Sequence, residues 1–166
     1  MRSHPPTSPR NSCVTIFLAA LAICSIAAAQ QTSPPTKPIE TNDRSHADDI
    51  RTVLTKQANA WNDGDIDTFM ETYWKSEQLT FSSGGKTTRG WTATRDRYKQ
   101  KYTSRELMGK LTFSELDVNV FDNSTALVLG RWHLDRKEQA GGNFSLVLRK
   151  LDGRWLIIHD HTSANP

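Results

Sequence analysis

Four residues near the C-terminus, His159, Asp160, His161 and Ser163, bring together side chains able to accept, donate or tune a proton. Imidazole is the one side chain whose ordinary pKa lies near neutrality, so His161 is the leading candidate for acid–base work. A carboxylate such as Asp160 or Glu115 would tune it. The alternatives are a structural histidine hydrogen-bonded to a backbone or Tyr hydroxyl, and a ligand contact without chemistry. His133, His159 and His161 together could form a three-imidazole metal site, but no HExxH-like spacing accompanies them, so no metal is expected. The chain also has no phosphate loop, dinucleotide fingerprint or nucleophile elbow, so no cofactor is expected.

Aromatic residues supply the rest of a candidate site. Tyr and Trp each join a large apolar ring to a polar donor, and several around a hollow suit a flat, oxygenated molecule. The expected pocket is Trp61, Tyr73, Trp91, Tyr102, Glu115, Trp132, His161 and Ser163. Arg89 could clamp a carboxylate, but a surface ion pair is the simpler reading.

These residues need a scaffold, and the patterning predicts one. Ile50, Val53, Leu54, Ala58 and Trp61 share one helical face after a capping-box-like start at Ser45 and Asp48, and Asp63-Gly64 ends that helix. Asp65 caps a second short helix with Ile66, Phe69, Met70 and Tyr73 inward. A short strand over 79–82 and a turn at 83–86 precede a third helix lined by Trp91, Tyr98 and Tyr102. Four strands follow, over 110–121, 124–137, 143–151 and 154–162, joined by short turns that favour an antiparallel meander. Helices first and a meander last predict an α+β fold with helices on one face of a curved sheet. Strict alternation along the last strand places Trp155, Ile157, His159, His161 and Ser163 on one side.

The segments "QANAWNDGDIDTFMETYW" at 57–74, "RGW" at 89–91, "GRW" at 130–132 and "LRKLDGRWLIIHDHTS" at 148–163 together resemble the SnoaL-like branch of the nuclear transport factor 2-like superfamily. The resemblance covers residues 45–163. It implies a cone-shaped, cystatin-like sheet whose concave face is covered by three N-terminal helices, a pocket between them, and homodimerisation through the outer sheet face. It carries less about chemistry, because one fold hosts many functions. Ketosteroid isomerase, in the same superfamily, places a catalytic aspartate on its first strand, where this chain has Ser82. Serine cannot serve as a carboxylate base at neutral pH, so Glu115 or Asp117 would have to substitute.

Residues 1–29 have the three-part layout of a secretory signal peptide: Arg2 and Arg10, an apolar run over 14–27, and Ala27-Ala28-Ala29. That run is shorter than the roughly twenty residues of a membrane span. Cleavage is expected after Ala29, giving a secreted or periplasmic protein. A lipid-anchored form at Cys24 is the competing reading. Both cysteines, Cys13 and Cys24, lie in the leader, so the mature chain has no thiol. Cleavage leaves 137 residues, enough for one domain, and lowers the formal charge from +3 to +1. Residues 30–44, with three prolines among polar residues, read as a flexible tether. Residues 95–110 are locally basic, but without aromatic-basic or helix-turn-helix motifs they read as a solvated helix face and not a nucleic-acid surface. The expectation is an exported pocket domain for a small, largely apolar molecule, with cofactor-independent proton transfer (lyase, isomerase or cyclase type) as the reaction if one occurs. The alternative is a non-catalytic dimerisation or assembly module.

Overall fold

In the computed structural model, residues 41–165 are described, and the expected leader and most of the tether lie outside them. Helix α1 (Thr41–Asp63) starts four residues before the expected boundary at Ser45, so 41–44 are helical. Ile50, Leu54, Gln57 and Trp61, spaced four, three and four apart, form its buried stripe. Gly64, at φ +83°, ends it, and two nitrogens of Arg105 donate to the carbonyls of Trp61 and Asn62 at 2.8 and 2.7 Å. Asp65 then caps α2 (Ile66–Met70) by accepting from the Thr68 amide at 2.9 Å, and Ile66, Phe69 and Met70 go inward.

The hairpin β1 (Thr80–Ser83) and β2 (Lys86–Arg89) turns at Gly84-Gly85, both with positive φ, as a two-residue hairpin loop requires. Strand β2 was not expected. Its residues Lys-Thr-Thr-Arg show no apolar alternation because it is the polar edge of the sheet. Helix α3 (Trp91–Lys101) and the short α4 (Arg105–Met108) follow. The meander is β3 (Lys110–Asp122), β4 (Thr125–Asp135), β5 (Ala140–Leu151) and β6 (Arg154–Thr162).

The six strands are ordered β2-β1-β6-β5-β4-β3 in one curved sheet, with the helices over its concave face. Strands β3 to β6 are antiparallel, and β1 joins β6 in parallel across the long connection. The inward faces of β4 and β5 alternate regularly: Val128 lies opposite Leu146, Gly130 opposite Phe144 and Trp132 opposite Gly142. Strand β6 holds one extra residue and β3 holds two. In β3 the first falls between the Ser114–Arg131 and Asp117–Leu129 pairs, where Glu115 has φ +52°, and the second between the Val120–Ala126 and Asp122–Thr125 pairs at the end of the strand. In β6 it is Ile158, between the Ile157–Leu148 and His159–Val147 pairs. Each bulge reverses which face later side chains take. None of the described helices is long and apolar enough to cross a membrane.

The chain continues along β5 beyond β6, with the Ser163 and Asn165 amides donating to the Asn143 and Gly141 carbonyls. This close approach depends on Gly142, because a Cβ there would stand 1.8 Å from the Ser163 carbonyl oxygen. Gly142→Ala is therefore expected to cost about 1–3 kcal/mol of stability, read as a lower urea midpoint with an unchanged slope. An unchanged midpoint would show that the 163–165 segment is not held there.

Candidate active site

Beneath α3 the concave face leaves a cavity of about 150 Å³. Its apolar wall includes Phe69, Phe81, Leu111, Phe113, Phe144 and Leu146, and its polar side chains include Tyr73, Arg97, Tyr98, Lys101, Tyr102, Asp160 and Thr162. A cavity of roughly this size holds one benzene-sized ring. The rings interlock: Trp61 meets Tyr102 edge-on at 4.7 Å between centroids, and Tyr98 contacts Phe69 at 5.1 Å and Phe81 at 5.5 Å.

Asp160 is the buried acid of this cavity, with 4 % of its surface exposed. It sits on β6 between Phe81 of β1 and Leu146 of β5, both buried. The Tyr73 hydroxyl donates to its Oδ2 at 2.7 Å and the Thr162 hydroxyl to its Oδ1 at 2.9 Å. Burial raises its pKa from 3.8 to about 6, against the opposing pull of those two hydrogen bonds and the more distant His161 and Arg97. Burial, with the Asp160 charge, also pushes Tyr73 and Tyr98 well above the ordinary phenol range, so both stay protonated as donors. The site thus pairs a carboxyl poised near neutrality with two phenols that hold their protons.

The Ile158 bulge decides which residues reach this site. Trp155 and Ile157 point inward as expected, but the extra residue then places Asp160 and Thr162 inside and His159 and His161 outside. His161 is exposed and lies in register with Ser82 and Ser145, away from the cavity. His159 places Nδ1 2.6 Å from the Thr80 hydroxyl, and its pKa is lowered by burial and by His161. Ser163 is exposed, and its carbonyl accepts from Trp132 Nε1 at 3.1 Å. The bulge in β3 likewise turns Glu115 outward, 3.8 Å from Arg131 and largely solvated, while Leu116 goes inward beside Gly130.

Of the expected pocket residues, Trp61, Tyr73, Tyr102 and Trp132 line the cavity, and Trp91, Glu115, His161 and Ser163 do not. Trp91 opens α3, donates to the Met70 carbonyl at 2.9 Å and lies beneath Lys75 and Arg95, so it joins helices and does not line this cavity. Ser82 is hydrogen-bonded across the hairpin to Thr87. A buried carboxylate stands instead on the neighbouring strand β6, at Asp160. Arg97 and Tyr98 complete the wall. Among the described residues no three His, Cys, Asp or Glu side chains come together as a metal site would require.

A family model described as "SnoaL-like domain" matches residues 50–166. The chain belongs to the SnoaL-like family. Among solved structures, this SnoaL-like chain is 42 % identical to an NTF-2-like protein of unknown function from Shewanella oneidensis MR-1. That alignment covers 70 % of this chain and 97 % of the other, with a TM-score of 0.67. A cystatin-like-fold protein from Nostoc punctiforme PCC 73102 (11 % identity, 76 % and 94 % covered, TM-score 0.61) shares the fold. So does a putative scytalone dehydratase from Novosphingobium aromaticivorans DSM 12444 (9 % identity, 75 % and 87 % covered, TM-score 0.61). No curated protein matches the SnoaL-like chain in sequence.

The raised pKa of Asp160 links this site to stability. The folded state holds the Asp160 proton more tightly than the unfolded chain, so this contribution is complete below about pH 4 and is lost as pH rises through about 6. The separation corresponds to about 3 kcal/mol. Urea titrations from pH 4 to 8 should show that loss in the native protein, whereas Asp160→Asn should lack it and be the more stable protein at pH 8. Parallel pH profiles in the two proteins would assign the dependence to another group.

Proposed function

We propose that this SnoaL-like domain, exported behind the leader expected at residues 1–29, binds a compact ring-bearing molecule and moves a proton on it through Asp160. The carrying observation is the buried Asp160 carboxyl, raised to about 6 and hydrogen-bonded to Tyr73, in the wall of a cavity large enough for one ring. A base works best when its pKa lies near the operating pH, because it is then largely ionised and still basic enough to take a proton from carbon. In the isomerase-type step, ionised Asp160 removes a proton beside a carbonyl and returns it to a second carbon. In the dehydratase-type step, the same carboxyl delivers that proton to the departing hydroxyl. Tyr98, and Tyr73 when it is not engaged with the carboxylate, supply O–H donors toward developing oxyanion charge.

The assembly-module alternative expects the hollow to be filled by indole and phenyl groups. An open cavity holding a desolvated carboxyl supports the binding reading instead, since burying that group unused only weakens the fold. A homodimer through the outer sheet face, where Leu127, Leu129 and Val147 point away from the cavity, is compatible with this proposal.

The test is solvent exchange. Monocyclic ketones incubated with the protein in deuterium oxide should gain deuterium beside the carbonyl, followed by proton NMR. Asp160→Asn should lower the rate by about 10²- to 10⁴-fold. Tyr73→Phe removes a hydrogen bond that favours the ionised carboxyl, so the acidic limb of the pH–rate profile should move to higher pH. Exchange that ignores Asp160→Asn, or its absence across the whole panel, would reject the reading.

A further inference from the structure

Helix α3 is strongly basic, yet its cations are not treated alike. Arg95 and Lys99 each have a carboxylate partner, Asp96 at 3.0 Å and Asp67 at 2.8 Å. Arg97 and Lys101, one helical turn apart on the face that also carries Tyr98 and Tyr102, line the cavity. Among the described residues neither lies within ion-pairing distance of an acid. Arg97 stacks its guanidinium over the Phe81 ring at 4.6 Å, and its Nη1 is buried without a hydrogen-bond partner. The Lys101 ammonium, near the solvent, lies 5.3 Å from the Tyr102 ring centroid.

A buried N–H donor without an acceptor is disfavoured in a folded protein, and two like charges one turn apart repel. Asp160 does not resolve this: its own hydrogen bonds go to Tyr73 and Thr162, and Arg97 is the weakest of the influences on it. With Asp160 ionised, the three charges leave one net positive charge, which a monoanion balances. A planar guanidinium fixed on a ring presents donors in the geometry that matches a carboxylate.

We propose that Arg97 and Lys101 form an anion clamp, and that the cavity takes a single-ring molecule bearing one carboxylate. The ring lies among Phe81, Tyr98 and Phe144, and the carboxylate takes the free Arg97 donor with Lys101 at the rim. This deepens the ligand-binding reading above and depends on it. It also gives two of the basic residues of 95–110 a role different from the solvated face expected of them.

Benzoate and its uncharged isostere benzamide separate the two ideas, with binding read from the fluorescence of Trp61 and Trp132 in the cavity wall. Benzoate should bind the native protein at least tenfold more tightly than benzamide. Arg97→Met, which keeps an apolar stem over Phe81, should remove most of that preference, and Lys101→Met part of it, while benzamide, which can lose at most a neutral hydrogen bond, weakens much less than benzoate and still binds, and so reports an intact cavity. If benzamide binds as well as benzoate, or if both ligands weaken alike in Arg97→Met, the clamp is wrong and the pocket stands. Binding of neither ligand overturns clamp and pocket together. Phenyl phosphate binding more tightly than benzoate would replace the carboxylate with a phosphate and overturn the assignment.

Discussion

Burying one carboxyl among aromatic rings is the constraint around which this domain is arranged. Asp160 loses its water and regains two hydroxyl donors, Tyr73 and Thr162, which offset only part of that loss. The remainder appears as a raised pKa and as stability given up at neutral pH. A residue kept at such a position costs more than an apolar replacement, and groups of this kind concentrate at functional sites. The aromatic shell serves the same end. By excluding water it keeps the carboxyl near neutrality and the phenols fully protonated.

The Ile158 bulge makes that burial geometrically possible, and the Glu115 bulge sets which side chains of β3 face inward. Without Ile158 as an extra residue, the strand that buries Trp155 and Ile157 would also bury His159 and His161, and Asp160 would face the outer side. Without the bulge at Glu115, Leu116 would lose its place beside Gly130. Both insertions bend the sheet and so help to shape its concave face. The helices close the space above: α1 supplies Gln57 and Trp61, Tyr73 comes three residues after the end of α2, and α3 with its C-cap contributes the Arg97, Tyr98, Lys101 and Tyr102 face.

The sequence carried the fold more openly than the site. The helical stripe from Ile50 to Trp61, the Asp63-Gly64-Asp65 corner and the Asp-Gly turn before β6 are local signals, and the elements they imply are present. Strand β2 was hidden because an edge strand needs no apolar alternation. Trp61 and Trp132 could be placed at the cavity because they lie on regular helical and strand phases, and Tyr73 and Tyr102, although outside α2 and α3, follow closely enough on those helices to stay on the cavity side. Asp160 could not, because Leu156, Ile157 and Ile158 form an unbroken apolar run across which a period of two carries no phase. A bulge costs one residue and leaves little trace in composition. Its effect is nevertheless to exchange a histidine for an aspartate as the group facing the cavity, and with it the proton chemistry available there.

Asp160 points inward with its pKa held at about 6, and a direct titration of its side chain tests this. Carbon-13 NMR of the Asp160 carboxyl, assigned by comparison with Asp160→Asn, should give a midpoint near pH 6. A midpoint close to the ordinary aspartate value of 3.8 would mean a solvated carboxyl, and would contradict both the inward placement and the proton chemistry derived from it.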